Sequence, residues 1–537
     1  MRNLLAAMLA LALYAQAQTP SGGGQPGWDK LKGPQDAWVY VVVGAYDAIG
    51  PRLEKAAVKL GPEAVADIKE IPTQIREGIG DSHGIARDAI DLSRPFAFAV
   101  YNPLAGQPPA AILPVKGELA NDAKASNGYI VACDNEILAE RLSSALKAAG
   151  AGAIAAPAGA VSVYIDVGTI FQLFGPFVQM QLASGMGGFG DSAGVDRQAA
   201  MAGMDLLFNL LGQIKHVLLD LDVNDQGLLV AQDTVVKEGT ELAQLFGGQG
   251  GGTTIGGILP ARAIVLNGKL KGLVPFVLKL ADRYLAKACA SPADAKTLRD
   301  AFAKYAGGAG EDFAMSMDFS PEGLVTDQIN AFTGTFDDLR ASYQAFASEK
   351  ASALTSGAKF ALQENVRQSG GVAVHKFTST IDASALDSQA GAQVKKLLGG
   401  GLQGEVALAN GKLITCSGGK DYSQRLDALI AASKNAGGAP GTHPVAFRCD
   451  LVRLLSNLAA AAGAGAETPA SAPPISGTVA FAGPSAKSNV VIPIEAIAKV
   501  KEFVEQAFGV GGMGGAFAPT SDDEDNEDTE DDEDDGQ

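Results

Sequence analysis

The sequence of 537 residues has few of the residue types that most often mark a metal site or a disulfide framework. It contains only four cysteines, and no two of them form a CxxC pair. Structural zinc sites use such pairs, and disulfide scaffolds need a higher cysteine density, so neither is predicted. Three interpretations remain for the cysteines, namely small buried side chains, one disulfide or a metal site; the residues are Cys133, Cys289, Cys416 and Cys449.

Basic residues are also sparse, and no stretch of the chain concentrates them. Charged residues make up 19% of the chain and the net charge is −18, with 12 carboxylates and no base between residues 522 and 535. Neutralisation of phosphates supplies most of the affinity of proteins for nucleic acid. No nucleic-acid partner is therefore predicted.

Long hydrophobic runs are absent after the N-terminus. Residues 1–17 combine Arg2, the apolar stretch Leu4–Tyr14 and small residues at 15–17, which is the pattern of a signal peptide. No later segment has the ~18 uninterrupted apolar residues of a membrane span, and no cysteine follows the leader to carry a lipid. The chain is predicted to be exported to the periplasm or the extracellular space, without a transmembrane segment in the mature protein.

The rest of the composition describes a globular protein rich in alanine and glycine. Hydrophobic residues make up 47% of the chain, which is enough to form a core. Residues 18–35 are predicted to be a disordered linker, because residues 19–25 are rich in Pro, Gly and Ser. Residues 511–537 are predicted to be a disordered acidic tail, because its carboxylates repel each other. Between them we predict two lobes, residues 36–257 and residues 258–510.

One stretch, residues 215–246, shows a pattern that the chain repeats. Two apolar runs of strand length, His216–Asp222 and Leu228–Val235, flank a five-residue loop, Val223–Gly227, and a short helix follows up to Phe246. Asn, Asp and Gly in the loop favour a hairpin, since they tolerate the left-handed backbone of a reversal. A strand at 161–165 and an apolar helix come before it.

The same order recurs about a hundred residues later. Strands at 262–266, 313–319 and 324–329 alternate with helices at 273–285 and 336–346, and the offset between the two copies is nearly constant. A fixed offset indicates duplication. A shorter copy fits residues 444–508, and looser copies, for which chance is an equal explanation, fit 36–124 and 371–435. The predicted fold is α+β, with repeated β-α-β-β-α units forming largely antiparallel sheets covered by helices in two lobes.

Three local features add to this prediction. Residues 63–79 have helical spacing that Pro72 is expected to break. Residues 349–363 fit a helix that links the second copy to the next one. Asn410-Gly411 is the strongest hairpin signal in the chain.

Gly80-Asp81-Ser82-His83-Gly84 matches the GxSxG pattern of a serine hydrolase. In that motif a strand-to-helix turn exposes the serine beside an oxyanion site. Here residues 70–78 have helical rather than strand spacing, so a polar surface loop is the favoured interpretation. A hydrolase that uses Ser82 is kept as the less favoured alternative.

Three other motifs fail in their context. Gly399–Gly404 satisfies GxGxxG, but it follows a helix and opens a strand, the reverse of a dinucleotide site. Asp220, Asp222, Asn224 and Asp225 resemble an EF-hand start that lacks its glycine and its final glutamate. Ser417–Lys420 has SxxK spacing without the partner motifs of that enzyme class. No catalytic residue, cofactor or metal site is predicted.

Three segments carry a resemblance to known proteins. Asp36–Tyr40 opens the first strand, Asp91–Ala97 precedes a hairpin, and Tyr129–Val131 leads to a helix. This order resembles a broad set of exported bacterial proteins of unknown function with repeated β-α-β-β-α units. The resemblance implies export and an α+β architecture, and it implies no catalytic residue.

These observations favour a non-catalytic, exported binding or structural protein, with a protein or envelope partner possible. An alternative is a carrier of an apolar or amphiphilic ligand, because the helices at 170–182 and 206–211 are very apolar.

Overall fold

A computed structural model describes most of the chain between residues 36 and 508. The described ranges are 36–80, 85–116, 125–150, 154–157, 159–189, 197–248, 251–320, 322–348, 351, 359–380, 401–435, 441–461 and 471–508. The predicted signal peptide (1–17), linker (18–35) and acidic tail (511–537) lie outside these ranges and stay predictions.

Within these ranges the chain forms seventeen strands, all in one sheet. They are β1 Val39–Val43, β2 Phe96–Val100, β3 Ala110–Pro114, β4 Tyr129–Ala132, β5 Val161–Ile165, β6 Ile214–Asn224, β7 Gly227–Val236, β8 Ile264–Lys269, β9 Ala309–Ser320, β10 Gly323–Phe332, β11 Lys359–Ser369, β12 Val372–Thr380, β13 Gly401–Ala409, β14 Lys412–Ser417, β15 Val445–Cys449, β16 Ile475–Ala482 and β17 Ser485–Ile492.

The same ranges contain twelve α-helices. They are α1 Tyr46–Val58, α2 Pro62–Gly80, α3 Glu136–Ala149, α4 Val167–Phe189, α5 Arg197–Leu211, α6 Glu241–Gly247, α7 Leu273–Ala288, α8 Pro292–Gly308, α9 Phe336–Phe346, α10 Tyr422–Ser433, α11 Leu451–Ala461 and α12 Ile494–Phe508. The predicted α+β class with antiparallel pairing is confirmed.

The strands follow a regular order across the sheet. From one edge to the other it reads β4-β3-β2-β1-β5-β6-β7-β17-β16-β15-β8-β9-β10-β14-β13-β12-β11, and each described pair of neighbours is antiparallel. Strands from residues 36–257 and from residues 258–510 therefore lie in one continuous sheet, joined where β7 pairs with β17. The division into two lobes stays a prediction.

Five groups of three strands, here called the three-strand sets, have the same internal pairing. In each set the second strand pairs with both the first and the third; the sets are β1-β2-β3, β5-β6-β7, β8-β9-β10, β12-β13-β14 and β15-β16-β17. One or two helices connect the first strand to the second in four of the sets, and residues 381–400 make this connection in the fourth set, outside the described ranges. These positions match the five segments in which the sequence pattern indicates a copy.

Helices cover both faces of the sheet near its two ends. At the β4 end, Tyr40, Val42 and Ala99 pack under α3, while Val43 and Phe98 pack under α1 and α2 on the other face. Neighbouring strand residues point to opposite faces, so each apolar strand contributes to both cores. At the β11 end, α10 and α9 cover opposite faces in the same way.

The local predictions had mixed outcomes. The hairpin at Asn410-Gly411 is confirmed, since β13 ends at Ala409 and β14 starts at Lys412. The loop predicted at 223–227 is wrong in length, because β6 runs to Asn224 and β7 starts at Gly227. The Asn224 side chain accepts a hydrogen bond from the Gln226 amide at 2.8 Å, which closes a two-residue turn.

Two predicted helix boundaries are wrong. Pro72 does not break the helix, because α2 continues from Pro62 to Gly80 with the proline inside it. Residues 359–363, predicted as the end of a helix, start β11 instead. Their apolar residues Phe360 and Leu362 alternate with a period of two, which suits a strand.

Candidate functional site

The most unusual surface of the described chain lies on α4. This helix of 23 residues contains no ionisable side chain. It starts at Asp166, whose carboxylate accepts hydrogen bonds from the amide and the hydroxyl of Thr169, both at 2.9 Å. A charge-free helix of this length in a globular protein is expected to be buried all round.

Over residues 167–181, where the side chains of α4 are described, only one side of the helix is covered. Phe174 contacts the edge of Trp38 with ring centroids 5.8 Å apart, and Phe171 packs against Phe208 of α5 at 5.4 Å. These rings fix the helix against β1 and α5. The outer side leaves Leu173, Phe177, Val178 and Met180 between 43% and 60% exposed. We call these four residues the α4 face.

The corresponding helix of the second predicted copy does not show this exposure. Pro176-Phe177-Val178 of α4 matches Pro275-Phe276-Val277 of α7, where Phe276 and Val277 are partly buried. α7 packs against both α5 and α8, whereas the outer side of α4 is left open. The exposure therefore arises from the position of α4 in the fold and not from its sequence motif alone.

A shallow groove of about 430 Å³ lies between α5 and α7. Its lining combines apolar and charged groups, from Gln198, Met201, Ala202, Asp205 and Lys287. Asp205 accepts hydrogen bonds from Gln179 of α4 at 2.7 Å and from Lys287 of α7 at 2.6 Å. The volume lies within the usual range of ligand sites, ~300–1,000 Å³.

The groove is held together by side chains that join α5 to α7. Gln198 donates to the carbonyl oxygen of Lys287 at 2.6 Å, and Arg283 donates to Asn209 at 3.0 Å and also pairs with Glu241 of α6. A lining that combines Met201 and Ala202 with the Asp205–Lys287 pair suits a molecule that has an apolar part and a polar end.

Ser82, the serine of the GxSxG motif, lies outside the described residues. The segment before it is described, and it is helix α2, which ends at Gly80. A nucleophile elbow needs a strand at that point. The prediction that this context lacks the strand is confirmed.

The EF-hand-like residues belong to β6 and its turn. Asp220 accepts a hydrogen bond from Ser162, Asp222 pairs with Arg52 at 2.5 Å, and Asp225 pairs with Lys55. In the described part of the chain, His, Cys, Asp and Glu form no group of three or more that could hold a metal ion.

The other two motifs also occupy structural positions. Gly401 and Gly404 lie in β13, so the GxGxxG segment opens a strand as predicted. Ser417 ends β14 and its hydroxyl lies 2.6 Å from the hydroxyl of Thr326, while Lys420 pairs with Glu322 at 3.5 Å.

The sequence patterns did not reveal the strongest polar cluster. Asp327 of β10 is fully buried, and its carboxylate pairs with Arg262 at 2.6 Å and with Arg425 of α10. Arg425 also donates to the carbonyl oxygens of Thr326 at 3.3 Å and Ser417 at 3.0 Å. All these contacts join strands and helices to each other, so we assign the cluster a structural role.

All four cysteines, which lie in described segments, are free thiols. Cys416 faces Asp327 across the β10–β14 pair. Burial raises the pKa of the Cys416 thiol above its ordinary range, and the negative charge of Asp327 raises it further. Of the three interpretations of the cysteines, small buried side chains fit Cys289 and Cys416, whereas Cys133 and Cys449 are partly exposed.

Comparisons with known proteins return no relatives. No family model, no curated protein and no solved structure matches this chain. Among the described residues, none of the helices is both long enough and apolar enough to cross a membrane.

Proposed function

We propose that this chain is an exported, non-catalytic binding or structural protein. The sheet and its helices form the scaffold, and the α4 face is the contact surface. The observation that carries the proposal is the exposure of Leu173, Phe177, Val178 and Met180 on a helix that has no ionisable residue. Contiguous exposed apolar patches on soluble proteins mark interaction sites.

The scaffold role rests on repetition. We propose that the five three-strand sets are copies of one β-α-β-β-α unit, distributed over two lobes. Their shared pairing supports this, and so does an ion pair that recurs between neighbouring sets. Arg52 of α1 pairs with Asp222 at 2.5 Å, and Arg453 of α11 pairs with Asp318 at 2.6 Å. In both places the arginine lies on the helix that follows the first strand of one set, and the aspartate lies on the second strand of the neighbouring set.

Labelling with a fluorophosphonate tests the non-catalytic part of the proposal. We expect no stoichiometric modification of the exported protein, because the segment before Ser82 is a helix and cannot form a nucleophile elbow. Intact-mass spectrometry measures the labelling, and the Ser82→Ala variant is the matched control. Stoichiometric labelling that the variant abolishes would establish the hydrolase instead.

A carrier of an apolar or amphiphilic ligand is the second candidate. The groove between α5 and α7 favours it, since Met201 and Ala202 line it beside the Asp205–Lys287 pair. Native mass spectrometry after gentle purification is expected to show bound mass in excess of the chain. The substitution Met201→Trp, which fills the groove, is expected to reduce that excess, whereas Ile137→Trp at an 80% exposed position far from it in sequence is not. A clean mass of the chain alone would count against the carrier.

A further inference from the structure

The three-strand sets join to each other through equivalent strands. First strands pair with first strands where β1 meets β5 and where β8 meets β15, over five residue pairs each. Third strands pair with third strands where β7 meets β17 and where β10 meets β14. Each joint is antiparallel, so it relates two sets by an approximate two-fold axis. An identical joint between two copies of a chain would be an isologous interface.

This pattern leaves two set edges without a partner set. One is the third strand β3 and the other is the first strand β12, and in the described sheet each is covered by a strand that belongs to none of the sets. β4 covers β3 with four residues, most of them buried. β11 covers β12 with eleven residues, and all of them are at least partly exposed.

The backbone of β11 is poorly suited to continue the sheet. Its register with β12 shifts between Gln363 and Arg367, and Asn365 there has a left-handed φ of 50°. The residues in that shift are exposed, and Glu364 and Arg367 carry charge. Irregular backbone and charge are the features by which natural sheets prevent pairing at an edge.

Ion pairs fasten β11 from both faces of the sheet. Arg367 donates to Glu405 of β13 at 2.6 Å and to Asp427 of α10 at 2.7 Å. Glu364 accepts from Arg340 of α9 at 2.7 Å on the other side. By contrast, β12 is fixed by buried apolar packing through Val374 and Phe377. Apart from its pairing with β12 and the packing of Leu362, β11 is therefore held by polar contacts, whereas β12 belongs to the core.

We propose that the outer edge of β12 is a self-association surface, and that β11 is a cap that keeps it covered. The occupant of the uncovered edge is β12 of a second copy of this chain. Two copies would pair β12 with β12 as the chain itself pairs β1 with β5 and β8 with β15. The cap stops the sheet within one molecule, as polar terminal repeats do in repeat proteins.

The experiment compares the full-length mature chain with two variants that weaken or remove the cap. R367M/E405Q removes the main ion pair without leaving either charge buried alone, and a second variant lacks residues 359–369. Size-exclusion chromatography with light scattering is run from about 5 to about 100 μM, since association follows mass action. We expect the wild type to stay monomeric and the molar mass of the deletion variant to double. R367M/E405Q should show the same doubling at higher concentration.

A peptide of residues 359–369, added in excess to the deletion variant, should return it to the monomer. The same peptide with Arg367→Glu should not. In residues 372–380, hydrogen exchange of the amides that point away from β13 should be slow in the dimer and fast when the variant is diluted to monomer. A folded deletion variant that stays monomeric throughout overturns the proposal, and so does a wild type that is already dimeric with β11 in place. If the deletion variant does not fold, the molar mass of R367M/E405Q tests the proposal. An R367M/E405Q variant that stays monomeric then overturns it.

Discussion

Replacing Asp327 by alanine is expected to lower the free energy of unfolding by about 3–5 kcal/mol, because the change removes the buried carboxylate that two guanidinium groups share. Arg262 would have no carboxylate left, and Arg425 would keep only the exposed Asp421, at 3.0 Å. Arg262 and Arg425 both pair with the Asp327 carboxylate, and their side chains are only 15% and 10% exposed. Without the carboxylate, neither guanidinium can regain water without disturbing the strands around it. Urea unfolding followed by circular dichroism measures the loss.

The matched control is Asp300→Ala on helix α8. Asp300 pairs with Lys296 one turn earlier, with both side chains about half exposed or more. Exposed pairs of this type contribute little, so no resolvable change in the free energy of unfolding is expected. The double variant Asp327→Ala/Arg425→Leu should cost less than the sum of its single changes, since only Arg262 then loses the buried carboxylate. A loss at Asp327 no larger than that at Asp300 would contradict the structural role of the cluster.

The sequence predicted those parts of the fold that local chemistry decides. Asn410-Gly411 has the two left-handed residues that a tight hairpin requires, and both have positive φ in the structure. The order of strands and helices in residues 161–246 and 262–346 was also predictable, because the periodicity of apolar residues is a local property. Residues 359–363 were predicted as the end of a helix, although Phe360 and Leu362 already carry a period of two.

Partner choice between strands was not predictable in this way. β7 and β17 are about 250 residues apart along the chain, and their apolar faces resemble those of other strands. Only the folded chain shows that third strands meet third strands. The Asp327 cluster depends on the same choice, since Arg425 reaches Asp327 only after β14 has paired with β10.

The candidate site, too, was predictable from the sequence only in part. The apolarity of residues 170–182 is plain in the sequence, and it suggested a carrier. Which side chains stay exposed depends on packing, because Phe177 is open whereas its counterpart Phe276 is partly covered. The α5–α7 groove likewise arises from two helices that are more than 60 residues apart in the chain.

The close approach of β10 and β14 makes a glycine between them very sensitive to substitution. Gly418 follows β14 with a φ of 69°, and a Cβ there would lie 1.8 Å from the carbonyl oxygen of Leu324. Real atoms cannot approach so closely, so Gly418→Ala must push the start of β10 away from the end of β14. We expect a loss of about 4 kcal/mol or more, at the extreme end of single substitutions.

Gly411→Ala separates this steric effect from backbone strain. Gly411 has the same φ of 69°, but a Cβ there would meet no atom within 4 Å. Its cost is the left-handed conformation alone, roughly 1–2 kcal/mol. Urea unfolding of the two variants measures the difference. Because Arg425 contacts the carbonyl oxygens of Ser417 and Gly418, the Gly418 variant should also loosen the Asp327 cluster and speed the reaction of Cys416 with a thiol reagent. Equal losses for both variants would show that β14 can shift away from Leu324 without harm to the sheet.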